Sequence, residues 1–142
     1  MHSSRYSKIQ VSPEAFLHLA LLLLILPVQY IACFLLAGAI HEIGHLLALK
    51  CMKVPVVCLR ITVSGAVMET GGTTPEQELI CAAAGPVAGI LTCLTARIFP
   101  LLGVCAFVQT VYNLLPLYPF DGGRICRSVL AILAQKKNSL QR

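Results

Sequence analysis

The sequence has few charged side chains. Asp, Glu, Lys and Arg make up only 12% of its 142 residues, tryptophan is absent, and Asp121 is the only aspartate. Soluble domains carry about twice this share of charged residues. Hydrophobic residues make up 57%. The composition therefore excludes an ordinary soluble domain and indicates an integral membrane protein built from several apolar spans.

The seven cysteines show no disulfide spacing. Their number is odd and no C-x-x-C occurs, so a disulfide framework is not expected. Cysteines inside apolar runs are typical small buried residues. The net charge of +5 does not indicate a nucleic-acid partner, because the basic residues lie between and beside the apolar runs.

A histidine-glutamate-histidine motif lies inside one apolar run. His41 and His45 are four residues apart, so on a helix their imidazoles lie one above the other and can bind one metal ion. Glu42 between them can deprotonate a water molecule held by that metal. Two histidines and a carboxylate suit zinc, and ionisable side chains at membrane depth are costly unless they serve a function. The alternative is a helix end at the membrane surface with solvated side chains.

A zinc site of this kind needs a third protein ligand. Of the six acidic residues, Asp121 remains once Glu42 is assigned as the base and the others are placed in the tail, a hairpin and a helix start. Pro116 and Pro119 would unwind the chain before Asp121, and the two glycines after it leave room for close approach. The alternative role for Asp121 is to cap the helix that follows.

The apolar runs predict four membrane spans. Pro27 separates the first, short run from the second, and Pro55 blocks any continuation of the second. The predicted spans are Ala15–Pro27, Tyr30–Leu49, Pro75–Ile98 and Leu101–Leu117, followed by a short amphipathic helix at the membrane surface, Ile125–Ala134.

Residues 56–69, between the second and third spans, alternate apolar and polar side chains and are rich in β-branched residues. This pattern predicts a short β hairpin at the membrane surface. We expect its first strand, 56–63, to offer a free edge to an extended substrate. Thr74, Pro75 and Gln77 then predict a capped helix start, and Gly85 and Gly89 predict a small-residue surface for close helix packing.

Charge predicts the topology. With a cytosolic N-terminus and four spans, ten of the 11 Lys and Arg residues fall on the cytosolic side, and only Arg97 falls outside. We expect one transmembrane domain over residues 1–142 with two cytosolic tails, residues 1–12 and 136–142. The second and fourth spans then end on the same side, which places His45 and Asp121 at a similar depth.

Asn113 lies about two helical turns before Asp121. A buried amide at this position could donate a hydrogen bond to the oxyanion of a tetrahedral intermediate. It could equally form a hydrogen bond between helices, as asparagine often does in membranes. The residues leave both roles open.

Together, these motifs resemble those of the site-2 proteases, the intramembrane zinc metalloproteases of the M50 class. The resemblance lies in His41-Glu42-Ile43-Gly44-His45, in Ala84-Gly85-Pro86, and in Asn113-Leu114-Leu115-Pro116 leading to Asp121-Gly122-Gly123. It covers about Pro13 to Arg127 and is greatest to the stage IV sporulation protease type. The chain departs from the family pattern at 87–89, where many members carry an asparagine.

The resemblance implies an all-α membrane core with a small β hairpin, Zn²⁺ bound by His41, His45 and Asp121, Glu42 as general base, and Asn113 near the reacting carbonyl. It implies regulated intramembrane proteolysis of a membrane-tethered or membrane-associated protein, such as a pro-sigma or anti-sigma factor, in a bacterial cell membrane. The bilayer and this substrate are the expected partners, and an inhibitory membrane partner is left open.

Two other functions remain open from the residues. One is a catalytically silent zinc-binding membrane scaffold, which would bind zinc without releasing a product. The other is a small transporter or channel subunit with a metal inside a span, for which the spacing from Asn113 to Asp121 would be a coincidence.

Overall fold

The computed structural model describes residues 8–62 and 65–140, which form five helices and three short strands. The strands are β1 (Lys8–Val11), β2 (Val56–Thr62) and β3 (Gly65–Thr70), and the helices are α1 (Pro13–Ile25), α2 (Val28–Cys51), α3 (Pro75–Cys93), α4 (Pro100–Asn113) and α5 (Asp121–Leu140). A 3-10 turn, Leu94–Arg97, follows α3.

The longest helix, α2, carries the two histidines and contains the whole of the predicted second span. After its last residues, Lys53 adopts a φ of 58°, and the Val54 N–H donates to the Leu49 carbonyl at 2.9 Å. This hydrogen bond across a left-handed residue is a Schellman cap. Pro55 then prevents the helix from resuming.

Helix α3 begins as the sequence predicts. The Gln77 N–H donates to Thr74 Oγ1 at 3.3 Å, and the Thr74 N–H donates to Gln77 Oε1 at 3.1 Å, with Pro75 at the first helical position. This reciprocal capping box confirms the predicted start. The regular helix ends at Cys93 rather than near Ile98, because the last residues tighten into the 3-10 turn.

Small residues bring the central helices close together. A Cβ on Gly44 of α2 would lie 2.6 Å from the Ala84 carbonyl oxygen of α3, and a Cβ on Gly89 of α3 would collide with Thr110 of α4. The expected packing surface is therefore confirmed at Gly89. Gly85 has a different neighbour, because its missing Cβ faces the two histidines instead of a helix backbone.

The strands form one sheet in the order β1-β2-β3. β2 and β3 pair antiparallel, as the predicted hairpin requires, and residues 63 and 64 between them lie outside the described residues. β1 pairs parallel to β2, so residues 8–11 of the predicted N-terminal tail form a strand of the sheet. The expectation that β2 offers a free edge is wrong, because β2 pairs on both sides.

Helices α4 and α5 depart from their predicted bounds. α4 ends at Asn113 instead of Leu117, and Pro116 and Pro119 keep the next residues out of a helix. α5 begins at Asp121, four residues before the predicted Ile125, and runs on to Leu140. Asp121 is therefore the first residue of a 20-residue helix and not part of the loop before a short one.

Most of the large apolar side chains face outward. The buried cluster is small and joins α2, α3 and the sheet through Leu49, Val54 and Cys81. By contrast, Leu24 is 84% exposed, and many other large apolar side chains on every helix are exposed. Apolar surface of this extent requires an apolar surrounding, so the molecule is a membrane protein.

Among the described residues, two helices are long and apolar enough to cross a membrane, Val28–Cys51 and Pro75–Arg97, the second including the 3-10 turn. Only 28% and 33% of their apolar windows are buried inside the molecule, which distinguishes them from the core helices of a soluble protein. α1 and α4 are shorter, with 13 and 14 residues. The structure thus supports two of the four predicted spans by length.

Candidate metal centre

The two histidines of α2 lie one above the other, as their spacing predicts. His41 is 4% exposed and His45 is 5% exposed, and their Nε2 atoms are 3.2 Å apart. One helical turn separates the residues, so both rings project from the same face of α2 toward α3 and α5. Two imidazole nitrogens therefore converge in a buried place.

Asp121 completes the group from the first turn of α5. Its Oδ2 lies 3.0 Å from His41 Nε2 and 3.2 Å from His45 Nε2, and the residue is only 5% exposed. The three ligand atoms lie within 4.8 Å of one another. The structure thus brings together the three residues that the sequence predicts as ligands.

The loop before α5 packs closely against the start of that helix, and this packing places the Asp121 carboxylate beside the histidines. A Cβ on Gly122 would collide with the Leu114 carbonyl oxygen, and a Cβ on Gly123 would lie 2.5 Å from the Leu117 carbonyl carbon. The prediction that these two glycines leave room for close approach is confirmed, because backbone atoms of the preceding loop lie where their side chains would be. The loop from α4 can therefore fold directly against the start of α5 and place Asp121 under α2.

Hydrogen bonding fixes the ring of His45. Its Nδ1 lies 2.8 Å from the Cys81 carbonyl oxygen on α3. A carbonyl can only accept, so Nδ1 carries the proton and donates it, which leaves the Nε2 lone pair for a metal. His41 Nδ1 is buried and has no hydrogen-bond partner among the described residues.

The carboxylate of Asp121 is held at both oxygens. While Oδ2 faces the histidines, Oδ1 accepts a hydrogen bond from Arg124 Nη1 at 3.0 Å. Burial raises the pKa of Asp121, but the contacts with the two histidines and the nearby Arg124 charge outweigh burial and hold the pKa below its ordinary value. The ionised carboxylate is the form that binds a cation. Asp121 is the first residue of α5 itself and not the cap before it, and its side chain contacts the side chains of His41 and Arg124.

The residues fit a metal ion in one further respect. A Cβ added to Gly85 would lie 2.6 Å from His41 Nε2 and would collide with His45 Nε2. The absent side chain thus leaves a small space at the point where both imidazole nitrogens are aimed. A buried space beside two nitrogens and a carboxylate oxygen is what a metal ion requires.

Glu42 and Asn113 line the same cavity as the three ligands. The cavity holds about 380 Å³, and both side chains are half-buried on its wall. Asn113 is the last residue of α4. The structure places both predicted catalytic residues at the metal centre, and their chemical roles stay predictions.

No protein-family model matches the chain. A zinc metalloprotease of Methanocaldococcus jannaschii is 29% identical over 106 residues, covering 65% of this chain and 31% of that protein. A Synechocystis protein whose name places it among the zinc metalloproteases is 27% identical over 114 residues, covering 69% of this chain and 30% of that protein. The chain spans less than a third of the length of these curated relatives.

The fold is shared with a site-2 protease. The solved structure of the site-2 protease from Methanocaldococcus jannaschii matches with a TM-score of 0.72 and 22% sequence identity, covering 87% of this chain and 67% of that chain. This match confirms the coarser part of the predicted fold class, a mostly helical protein with a small β element, and the four membrane spans stay a prediction.

The cofactor prediction of Zn²⁺ is supported by two independent observations. Two imidazole nitrogens and one carboxylate oxygen, all buried, form a donor set suited to zinc. Both curated relatives are also named for this metal. His41, His45 and Asp121 would hold the ion beside the cavity that Glu42 and Asn113 also line.

The residue pattern did not identify the neighbours that orient the ligands. Arg124 was taken only as a cytosolic charge and Glu78 only as part of a helix start, yet both belong to the metal centre. Arg124 follows Asp121 by three residues, and this spacing on a helix is a signal that could have paired them. No signal in the sequence links Arg124 to Glu78, which lies 46 residues earlier in the chain.

Proposed function

We propose that this chain is an intramembrane zinc metalloprotease of the site-2 protease family, hydrolysing a peptide bond in a membrane-tethered or membrane-associated protein. The observation that carries the proposal is the buried convergence of His41, His45 and Asp121 on the space left by Gly85. The site-2 protease fold and the similarity to curated zinc metalloproteases support the same reaction.

Zinc at this site would supply a Lewis acid and a water molecule of lowered pKa. Glu42 would take a proton from that water and later deliver it to the leaving amine. The position of Glu42 on the wall of the cavity that His41, His45 and Asp121 also line supports this role. Asn113 would donate a hydrogen bond to the carbonyl oxygen under attack, where negative charge develops.

The substrate would have to be extended at the cavity, because a helix hides its carbonyl groups in its own hydrogen bonds. Met68 and Thr70 of β3 line the cavity, and β3 is an edge strand of the described sheet. We therefore place the substrate along β3, where its backbone could extend the sheet. β2 is not available for this pairing because both of its edges are occupied.

The finer parts of the proposal rest on sequence. The motif from Asn113 to Gly123 supports the stage IV sporulation type and, with it, a pro-sigma or anti-sigma factor as the substrate. The distribution of Lys and Arg supports one transmembrane domain with both termini in the bacterial cytosol. A cytosolic metal centre would receive its water from that side of the membrane.

The proposed reaction is tested by Glu42→Gln in liposomes containing the full chain. Glutamine keeps the size of the side chain but cannot act as a base, so we expect the same zinc content as wild type, about one per chain, and at least ~100-fold slower cleavage. The substrates are single-span peptides with a helix-breaking segment at either end of the span, and the products are identified by mass spectrometry.

Two variants serve as controls for this test. Glu76→Gln changes an exposed carboxylate at the start of α3 and should keep both zinc and cleavage. Asp121→Ala should lose zinc because it removes a ligand. Cleavage by Glu42→Gln at the wild-type rate would refute the assigned base.

The second candidate function, a silent zinc-binding scaffold, makes a different prediction in the same experiment. If the chain is a scaffold, the wild-type protein should bind zinc, lose it in Asp121→Ala, and release no product from any substrate. The half-buried Glu42 on the cavity wall favours the protease, because a scaffold has no use for a base beside its metal.

A further inference from the structure

We infer that Arg124 is a positioning residue of the metal centre, and that it presents Asp121 to the metal through Oδ2 alone. The inference rests on the proposed zinc site but not on the protease reaction. Asp121 offers two oxygens, and a carboxylate can bind a metal through one or both of them. The structure assigns the two oxygens to different partners.

Every nitrogen of the Arg124 side chain faces an acceptor. Nη1 donates to Asp121 Oδ1 at 3.0 Å, Nε donates to Glu78 Oε1 at 2.8 Å, and Nη2 lies 3.8 Å from Cys81 Sγ. A planar guanidinium with three fixed contacts has little freedom to rotate. Asp121 Oδ1 is therefore turned away from the imidazoles, and Oδ2 is left between them.

Glu78 provides the fixed end of this arrangement. It lies in the first turn of α3, whose start is held by the capping box, and Thr73 Oγ1 donates to its Oε2 at 3.3 Å. The Glu78 side chain is 18% exposed and that of Arg124 is 24% exposed. Ion pairs that are largely withdrawn from water are screened weakly, so removing one member leaves the other charge uncompensated.

The same stretch of α3 therefore orients ligands from two other helices. The Cys81 carbonyl accepts a hydrogen bond from His45 of α2, and Glu78 accepts one from Arg124, which in turn donates to Asp121 of α5. Substituting residues that orient metal ligands in this way typically lowers metal affinity about 10- to 100-fold. Arginine is suited to the role because a lysine ammonium cannot reach two carboxylates with the same fixed geometry.

The test compares zinc affinity and cobalt spectra of the full chain in detergent. Affinity is measured by competition with a chromophoric chelator, for wild type, Arg124→Gln, Arg124→Lys and Glu78→Gln. We expect about 10- to 100-fold weaker zinc binding in Arg124→Gln and intermediate losses in the other two. At saturating Co²⁺, the visible absorption of Arg124→Gln should shift, because Asp121 Oδ1 becomes available to the metal.

The cobalt spectrum separates positioning from a general loss of stability. A variant that is merely less stable would bind less Co²⁺ but show the wild-type spectrum once saturated. Arg60→Gln is the matched control, because it breaks an exposed arginine–glutamate pair on the sheet, and it should keep both affinity and spectrum. If Arg124→Gln does not fold, zinc affinity and the cobalt spectrum of Arg124→Lys and Glu78→Gln decide the question.

Each outcome has a defined meaning. Wild-type zinc affinity and an unchanged cobalt spectrum in the Arg124 and Glu78 variants would overturn the role of Arg124 while leaving the metalloprotease proposal intact. A wild type whose zinc affinity depends on Arg124 but that cleaves nothing would overturn the protease and keep the positioning role. A wild type that binds neither metal would overturn both.

Discussion

Gly85 determines whether the two imidazoles can share a metal ion. We predict that Gly85→Ala lowers zinc affinity at least about tenfold, because the new methyl group would occupy the space at which both Nε2 atoms are aimed. Alanine raises helix propensity by about 1 kcal/mol over glycine, so lost helix content would not explain the result. Chelator competition in detergent measures the affinity.

The control for this prediction is Gly38→Ala on α2. A Cβ there would lie 3.6 Å from the Gln109 side chain, an ordinary contact, so zinc affinity should stay at the wild-type level. If Gly85→Ala bound zinc as tightly as Gly38→Ala, the imidazoles would have to bind their metal in an arrangement other than the one described.

At the scale of single residues, the ligands are predictable and their supports are not. His41 and His45 follow from helical spacing, and Asp121 follows from the small number of acidic residues. Gly85 was expected to pack against a helix, because a small residue in an apolar span carries no information about which neighbour it meets. The neighbour of Gly85 is set by how closely α2 and α3 approach each other, as they do at Gly44.

The capped start of α3 is an element whose stability can be measured directly. We predict that Thr74→Ala lowers the free energy of unfolding by about 1 kcal/mol, because the Gln77 N–H loses its acceptor. Thr74→Ser retains the hydroxyl oxygen and should stay close to wild type. Reversible unfolding in mixed micelles measures the difference, and equal destabilisation by serine and alanine would show that the hydroxyl is not what stabilises the start.

Elements defined by local signals were predicted better than elements defined by pairing. The start of α3 is encoded within four residues, and the hairpin of β2 and β3 within fifteen, so both could be read from the sequence. β1 pairs with β2 across about 50 residues, and no local pattern reports such a partner. The loop after α4, which Pro116 and Pro119 keep out of a helix, packs against Gly122 and Gly123, and no local pattern reports that tertiary contact either.

At the scale of the whole molecule, the metal centre lies near one end of the helices that are long enough to cross a membrane. Glu78 and Cys81 at the start of α3 contact the ligand network, whereas Arg97 lies at the far end of the same segment. Twenty-three residues, Pro75–Arg97, extend ~33 Å when largely helical, about the thickness of the hydrocarbon core. The structure is therefore compatible with the charge argument that sets Arg97 apart from the other basic residues.

This arrangement predicts which thiols can be reached from each side of the membrane. Cys51 is exposed at the end of α2, next to the charged Lys50, and Cys126 is the other exposed cysteine among the described residues. A membrane-impermeant maleimide should label Cys51 in inside-out vesicles and not in intact cells. When Arg97→Cys is added to a chain carrying Cys51→Ser and Cys126→Ser, the opposite pattern is expected, with labelling in intact cells and not in inside-out vesicles. Position 97 lies at the far end of the segment Pro75–Arg97. Labelling of Cys51 and of the cysteine introduced at position 97 from the same side would contradict the predicted topology, since the metal centre and Arg97 could not then face opposite compartments.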